Sequence, residues 1–429
     1  MASTIYALST APGRAAIAVV RLSGPEAHRA VAALIGRPVV ADRRMRRATL
    51  RHPHTGETLD DALVVAFAEG ASFTSEAMAE LHLHGGRAIA NSVLEALAAY
   101  DGLSVAEPGA FTRRAFEAGR LDLSQAEGLA DLIDAETAAQ HRQAVRMLDG
   151  ALSRKVAEWR EAILSALALT EAVIDFSDEE LPGDLYDTAS SSIERLAASL
   201  DEDLRGAFSA QRVREGFEVA LVGPPNVGKS SLMNAIAGRE VALTSEVAGT
   251  TRDVIEVRCD LGGIAVTFLD MAGLRESGDP VERAGVARAR ERAAQADLRI
   301  FVSDPDVEAD VASAQPGDIF VVNKSDLGDR GSARLQVSAK TGAGVAALLG
   351  RVQVALAARS QGAGALTRAR HVEAVTRARA ALARAESNAD DAIRAEELRL
   401  AARHLGRIVG AVDVEDVLGE IFSRFCLGK

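Results

Sequence analysis

The spacing of apolar residues divides the chain into segments of different kinds. Over residues 1–117, short apolar runs at Ile17 to Leu22, Ala62 to Phe67 and Ala79 to Leu83 alternate with Gly and Pro breaks and short helical stretches. Such runs predict strands, and the mixture predicts a compact α+β domain. From Leu121 to about Arg212, Leu, Ile, Ala and Val recur at three- and four-residue spacing, which predicts helices with few breaks apart from Leu181-Pro182-Gly183.

A strand–loop–helix alternation runs from about Gly216 to Arg359, and helical periodicity then returns up to Phe425. The segment Ser360 to Gly364 between them has the composition of a linker. We therefore predict a multi-domain α+β and α/β protein, in which an inserted domain can move as a unit relative to its host. The predicted domains are an N-terminal domain at 1–117, a helical domain in two parts at 118–215 and 360–429, and an inserted α/β domain at 216–359.

Composition and net charge make some classes of protein less compatible with this sequence than others. The 429 residues are enough for two or three domains. A formal net charge of −12 argues against a protein that coats nucleic acid by itself, and leaves a local basic patch or a basic partner open. Two cysteines do not make a disulfide scaffold, and no apolar run approaches the length of a membrane span. We expect a cytoplasmic protein without stable membrane insertion.

The segment from Gly223 to Ser230 matches G-x-x-x-x-G-K-[ST], follows the apolar run Phe217 to Val222 and opens into a helical stretch. This is the pattern of a loop whose backbone N–H groups wrap nucleotide phosphates. Lys229 would neutralise the outer phosphates, and the Ser230 hydroxyl would reach a magnesium ion. The predicted nucleotide-binding residues of the loop are Asn226, Val227, Gly228, Lys229, Ser230 and Ser231.

The region after this loop contains a predicted switch segment and a predicted magnesium carboxylate. Thr250 and Thr251 lie between the first helix and the second strand of the α/β domain, and motif position favours Thr251 as the one that closes over magnesium. Asp270 ends an apolar strand and would hold the magnesium shell through water. The Gly273 N–H would sense the γ-phosphate.

Two later motifs predict guanine as the base: Asn323-Lys324-Ser325-Asp326 and Ser338-Ala339-Lys340. A carboxylate at Asp326 can accept both the N1–H and the exocyclic amine of guanine, whereas adenine offers no such donor pair. Ala339 would add a backbone donor to the guanine carbonyl. Each of these residues alone is compatible with an ordinary turn. The joint order and spacing predict a Ras-like P-loop domain that hydrolyses GTP.

Leu274 stands where many small GTPases place the glutamine that orients the attacking water. Glu282 is the candidate for this task, and the residues alone also allow a solvated carboxylate at the start of a helix. No arginine finger is evident. Asn226 offers an alternative, because its side-chain oxygen can help to bind a monovalent cation, although Asn also tolerates unusual loop angles. We expect potassium-stimulated hydrolysis.

Lysine is rare in this chain, since only five of the 49 basic residues are Lys. Three of the five, Lys229, Lys324 and Lys340, lie in the nucleotide motifs, where a compact charge on a flexible stem is needed. By the same reasoning, Lys429 becomes a candidate for chemistry, with a solvated terminal charge as the alternative. Lys155 is expected to be a surface residue.

The residues resemble those of the MnmE, or TrmE, family of tRNA uridine-modification GTPases along the whole chain. The shared segments include Ala11 to Arg14, Val20 to Gly24, Leu81 to Gly86, Pro108 to Thr112, Leu121 to Glu127 and the ending Phe425-Cys426-Leu427-Gly428-Lys429. The resemblance implies a homodimer formed through the N-terminal domains, which bind a tetrahydrofolate derivative (5-formyl- or 5,10-methylene-tetrahydrofolate) as one-carbon donor. It also implies a flavin-containing partner, MnmG, and an aminomethyl or carboxymethylaminomethyl group added to carbon 5 of the tRNA wobble uridine.

The resemblance also assigns roles to individual residues. It implies potassium ligands at Asn226, Ser245, Val247 and Thr250, magnesium ligands at Ser230 and Thr251, and a water-orienting carboxylate at Glu282. It implies a folate site at Arg21, Glu80, Arg120 and Lys429, although many relatives have Lys where this chain has Arg120. The family motif makes Cys426 a candidate catalytic residue near that site, and a small buried apolar residue is the alternative.

A regulatory or ribosome-assembly GTPase that acts only as a switch is the competing interpretation. Such proteins often carry a separate RNA-binding module, and this chain shows neither a KH-type clamp nor an aromatic, basic recognition sheet. The segment Leu366 to Gly410 has nine Arg against six acidic residues, which is compatible with a modest tRNA-contacting face or with a solvated helix face. Folate binding would distinguish the two interpretations.

Overall fold

A computed structural model of the chain describes residues 3–175, 184–239, 241–243, 256–270, 291–292, 294–305, 314–328, 334–388, 390–412, 415–423, 425 and 428. Only the backbone is described for residues 184–189, 415–417 and 420. The chain divides into two units, one of residues 1–130 with 406–429 and the other of residues 131–405.

The first unit contains a six-stranded sheet in the order β3-β4-β5-β2-β1-β6. Neighbouring strands are antiparallel except for β1 and β6, which are parallel. In β2 buried and more accessible positions alternate, as expected for a sheet with one face on a core. The strands are β1 Thr4–Leu8, β2 Ile17–Ser23, β3 Arg46–Arg51, β4 Thr58–Phe67, β5 Met78–His84 and β6 Leu103–Val105.

Helices cover this sheet and receive the end of the chain. Buried residues of α1 (Ala27–Ile35) and α2 (Arg87–Ala98) share one apolar core with the strands. A second cluster joins α4 (Leu123–Asp134) to the last helix through Leu123, Ala126, Leu418, Phe422 and Phe425. The C-terminal residues therefore belong to the same unit as the N-terminal sheet. The remaining helices of this unit are α3 Ala110–Glu117 and α12 Glu415–Ser423.

The second unit begins with helices and continues into a second sheet. Thr137 and Gln140 form a capping box at the start of the helix α5, because the side chain of each residue accepts a hydrogen bond from the backbone N–H of the other. Buried apolar residues at helical spacing, such as Val156, Trp159 and Ile163 of α6, provide the core side of these helices. The helices are α5 Ala138–Leu148, α6 Ala151–Asp175, α7 Asp184–Glu215, α10 Ala369–Ser387 and α11 Asp391–Val409. The predicted break at 181–183 lies outside the described residues.

The second sheet has the strand order β12-β11-β10-β7-β9-β8 and is parallel except for β8. Every residue of β10 is buried, as is usual for a parallel strand covered on both faces. The elements are β7 Phe217–Val222, α8 Lys229–Ala237, β8 Glu256–Asp260, β9 Ala265–Asp270, β10 Leu298–Ser303, β11 Ile319–Val322, β12 Leu335–Gln336 and α9 Val345–Ser360.

The described elements confirm the predicted fold class. An α+β N-terminal part, helices, an open and mostly parallel sheet, and further helices follow each other along the chain. The predicted linker Ser360 to Gly364 is tied to α7, since the Gly364 N–H donates to the Gly206 oxygen (3.3 Å) and the Ser209 hydroxyl donates to the Arg359 oxygen (2.8 Å). In the described part of the chain, no helix is both long and apolar enough to cross a membrane.

Candidate functional site

The phosphate-loop sequence forms the turn between β7 and α8, at the carboxyl end of a strand with parallel neighbours on both sides. This is where open α/β sheets bind ligands. Gly228 adopts φ 90°, and a Cβ at this position would lie 2.4 Å from the amide nitrogen of Asn323. Asn226 also has a positive φ, of 64°, which Asn tolerates better than most residues. Both positions thus have a positive φ, which Gly and Asn adopt more readily than other residues.

Lys229 is almost fully buried and lies against its own loop. Its ammonium donates to the carbonyl oxygens of Gly223 (2.7 Å) and Pro224 (2.6 Å). Burial lowers the pKa of this ammonium, and the nearby carboxylate of Asp270 acts in the opposite direction. The positive charge that is predicted to neutralise the phosphates is therefore held against the backbone of the phosphate loop.

Asp270 is the last residue of β9, paired in register with Leu221 of β7, and is 1% exposed. Ser230 is half-buried in the first turn of α8, beside Lys229. A buried carboxylate and a hydroxyl supply the hard oxygen donors that magnesium prefers. Ser230 and Asp270 therefore fit a magnesium ion. Ser231, in the same turn, is exposed.

Asn323 connects the phosphate loop to the second base motif. Its amide nitrogen donates to the carbonyl oxygens of Val227 (2.9 Å) and Gly228 (3.3 Å). Its side-chain oxygen accepts from the Ala339 N–H at 3.0 Å. The side chain is 1% exposed, so all three bonds are shielded from water. One buried amide therefore holds together the loops predicted to bind the phosphates and the base.

Asp326 occupies a one-turn 3₁₀ helix at Ser325–Leu327, where its carboxylate is exposed. The buried Ser338 hydroxyl donates to this carboxylate at 2.6 Å, and this hydrogen bond is the main cause that lowers the pKa of Asp326. The charge of Lys340 lowers it further. The group predicted to accept guanine's two donors is thus held in its ionised, acceptor form.

Lys324 precedes this turn with φ 62°, and its ammonium forms an ion pair of 2.8 Å with Asp304. Asp304 was not among the residues predicted from the sequence. Its position shortly after β10, at the carboxyl edge of the parallel sheet, is the signal that could have identified it.

A second constellation lies on the sheet of the first unit. Arg21 of β2 and Glu80 of β5 face each other in register. The Arg21 Nε donates to the Glu80 carboxylate at 3.0 Å, and Nη2 approaches the same oxygen at 2.8 Å. His82 lies 3.3 Å from the other carboxylate oxygen, and the guanidinium stands over the Phe111 ring at 5.8 Å. Two of the four predicted folate residues are therefore in direct contact.

The C-terminal segment reaches the same place. The Gly428 carbonyl oxygen accepts from the Ser9 hydroxyl (3.0 Å) and lies 3.5 Å from the Arg21 Nη1. Gly428 has φ 85°, and a Cβ there would lie 2.4 Å from the Leu8 oxygen, so only glycine fits this close approach to β1. Ser9 was not predicted, because nothing in a single sequence joins two positions 419 apart.

Arg120 follows α3 and is exposed. Among the described residues, its side chain makes no hydrogen bond or ion pair with Arg21 or Glu80, so these interactions do not join it to that pair. The other predicted site residues lie outside the described residues: Ser245, Val247, Thr250, Thr251, Gly273, Glu282, Cys426 and Lys429.

Two family models match the chain. One, described as the MnmE helical domain, matches residues 123–426, and the other, described as GTP-binding protein TrmE N-terminus, matches residues 4–120. The tRNA modification GTPase MnmE of Cereibacter sphaeroides is 51% identical over 432 residues, covering 99% of this chain and 100% of that protein. The proteins of the same name from Parvibaculum lavamentivorans (52% over 442 residues) and Ruegeria pomeroyi (51% over 431 residues) have the same coverage.

Proposed function

Since the chain belongs to the MnmE (TrmE) family of tRNA modification GTPases and is a GTP-hydrolysing enzyme, we propose a specific tRNA modification for it, together with a partner protein and a one-carbon donor. With a flavin-containing partner, MnmG, it adds an aminomethyl or carboxymethylaminomethyl group to carbon 5 of the wobble uridine of certain tRNAs. A tetrahydrofolate derivative supplies the one-carbon unit. The enzyme works in the cytoplasm as a homodimer formed through its N-terminal domains.

The observation that supports this proposal is the contact between Arg21, Glu80 and the C-terminal Gly428. A carboxylate can pair with the amino-pyrimidine edge of a pterin, and a guanidinium can pair with a glutamate tail. Both groups are mostly buried, with side-chain exposures of 23% for Arg21 and 15% for Glu80. The residues present therefore fit a folate.

The nucleotide cycle uses the second unit. Magnesium, held by Ser230 and Thr251 with Asp270 acting through water, would neutralise phosphate charge. Potassium would be held by the Asn226 and Thr250 side chains together with Ser245 and Val247. Glu282 would orient the attacking water. Lys229 would bind the outer phosphates by exchanging its two carbonyl contacts for phosphate oxygens.

Folate binding by the purified full-length protein tests the proposal. Titration with 5-formyltetrahydrofolate should show a saturable site that Arg21→Ala and Glu80→Ala both abolish. Arg37→Ala is the matched control, since Arg37 is an exposed arginine of the same unit whose side chain, among the described residues, bonds only the Arg47 carbonyl oxygen. No binding by the wild type, or equal binding by all variants, would refute the folate role and favour a GTPase that acts only as a switch.

Hydrolysis rates test the nucleotide part separately. We expect faster GTP turnover in potassium than in sodium buffer, and we expect Glu282→Ala to keep GTP affinity while it loses hydrolysis and tRNA modification together. Equal rates in the two buffers would remove the potassium proposal. Undiminished modification by the Glu282 variant would show that turnover is not required for modification.

A further inference from the structure

The second unit contains a cavity of about 690 Å³ that lies apart from the nucleotide site. Its walls come from α5, α6 and the end of α7, from Ile264 and Ala265 at the start of β9, and from the segment between α9 and α10. This volume is within the range of pockets that hold small organic molecules. The helical part and the second sheet therefore both supply walls of one cavity.

The lining combines an apolar surface with an excess of positive charge. Arg142 and Arg146 of α5 and Arg154 and Lys155 of α6 line the cavity, against a single carboxylate, Glu158. The chain as a whole carries a net charge of −12, so this local balance is opposite to that of the molecule. Apolar side chains complete the walls: Ala139, Met147, Ala151, Val213 and Ile264.

Two of these cations have no side-chain partner among the described residues. Lys155 pairs with Asp203, and the Arg154 Nη1 donates to the Asp149 carbonyl oxygen at 2.6 Å. The side chains of Arg142 and Arg146, in contrast, are exposed and make no hydrogen bond or ion pair with any described residue. They stand four positions apart on one helix, where like charges repel each other. An oxyanion between the two guanidinium groups would remove this repulsion and use their fork geometry.

A further observation concerns Thr367, another residue that lines the cavity. This residue is 1% exposed, yet its hydroxyl has no hydrogen-bond partner among the described residues. Buried hydroxyl groups are nearly always bonded, because an unmade hydrogen bond costs about 1–3 kcal/mol. The threonine is fixed in place, since its carbonyl oxygen accepts from the Arg214 Nε at 2.9 Å.

We propose that this cavity is a second ligand site, which binds a small organic anion with a phosphate or carboxylate group on an apolar, ring-sized body. Arg142 and Arg146 bind the oxyanion, and the apolar walls hold the body. Because Ile264 and Ala265 lead into the strand that ends at Asp270, the bound anion contacts both the helices and the nucleotide-binding sheet.

The probe for the test is 8-anilinonaphthalene-1-sulfonate, an aromatic anion whose fluorescence rises in an apolar site. It is titrated into the full chain with magnesium and saturating GDP, so that the nucleotide site is filled. We expect one saturable site that phenyl phosphate or benzoate displaces and neutral benzyl alcohol does not. The more effective of the two anions identifies the preferred oxyanion.

Two variants probe the cavity and one serves as the matched control. Arg142→Ala with Arg146→Ala should weaken dye binding roughly tenfold or more, as expected for the loss of charge-assisted contacts. Ala151→Phe should weaken binding similarly by filling the cavity while it leaves every charge in place. Arg195→Ala with Arg205→Ala removes two exposed arginines of α7 outside the cavity and should leave binding unchanged. Thermal unfolding verifies that each variant is folded.

Three results would overturn the proposal. Equal dye affinity in the wild type and the arginine double variant would mean that the dye binds elsewhere. Displacement by benzyl alcohol as effective as that by the anions would mean that the arginines do not select charge. Displacement by tRNA, with none by phenyl phosphate or benzoate, would mean that these arginines contact an RNA backbone. If Ala151→Phe does not fold, the arginine double variant decides alone.

Discussion

Replacement of Asn323 by Ala removes the amide that joins the phosphate loop to the base loop. The variant loses the hydrogen bonds to Val227, Gly228 and Ala339, at 2.9, 3.3 and 3.0 Å. Each such bond contributes about 0.5–1.5 kcal/mol net, so the three together contribute about 3 kcal/mol. We therefore expect the nucleotide-binding domain to lose roughly this much unfolding free energy even when no nucleotide is bound.

Differential scanning calorimetry of the nucleotide-free, full-length protein measures this loss. The transition that added GDP shifts upward identifies the nucleotide-binding domain, because a ligand stabilises the part that binds it. A domain of this size changes its melting temperature by about 2–4 °C per kcal/mol, so Asn323→Ala should lower this transition by about 6–12 °C.

Asn234→Ala is the matched control for this experiment. Asn234 is an exposed residue of α8 in the same domain, and surface substitutions usually stay within about 0.5 kcal/mol. If Asn323→Ala melts like the control, the three bonds do not stabilise the empty site. Asn323 would then act only through contact with the bound nucleotide, and the reasoning above would be refuted.

Two further predictions concern the same site. Gly228→Ala should reduce GDP affinity strongly, because φ 90° is strained for alanine and the new Cβ would lie 2.4 Å from an amide nitrogen; unchanged affinity by calorimetric titration would contradict this. Ser338→Ala should raise the pKa of Asp326, whose ionised form is present above its pKa and is lost as the pH falls through it. GDP affinity of this variant should therefore begin to fall at a higher pH than in the wild type. If the affinities of both proteins fall over the same acidic pH range, the Ser338 hydrogen bond is not what lowers the pKa of Asp326.

Much of the fold followed from local patterns. The apolar runs at Ile17 to Leu22, Ala62 to Phe67 and Ala79 to Leu83 correspond to β2, β4 and β5. The strands β1, β3 and β6 were not predicted. The last of these is only three residues long, and β3 has arginine at three of its six positions, so neither presents a sustained apolar run.

The two sites differed in how much the sequence could predict. Phosphate-loop residues are adjacent in the chain, so their spacing alone specified the turn that the structure contains between β7 and α8. Even there, the connecting role of Asn323 was not predicted, because hydrogen bonds between loops about a hundred residues apart depend on tertiary packing. The contact of Gly428 with Arg21 likewise joins opposite ends of the chain. Only the family resemblance had assigned residues from both ends to one site.

Mass spectrometry of tRNA nucleosides from cells with and without this chain tests the proposed role in tRNA modification. Deletion should remove a wobble-uridine aminomethyl derivative, which the wild-type chain and the control Arg37→Ala should restore and Arg21→Ala should not. An unchanged nucleoside profile after deletion would contradict the account, and the GTPase would then require a different biological output.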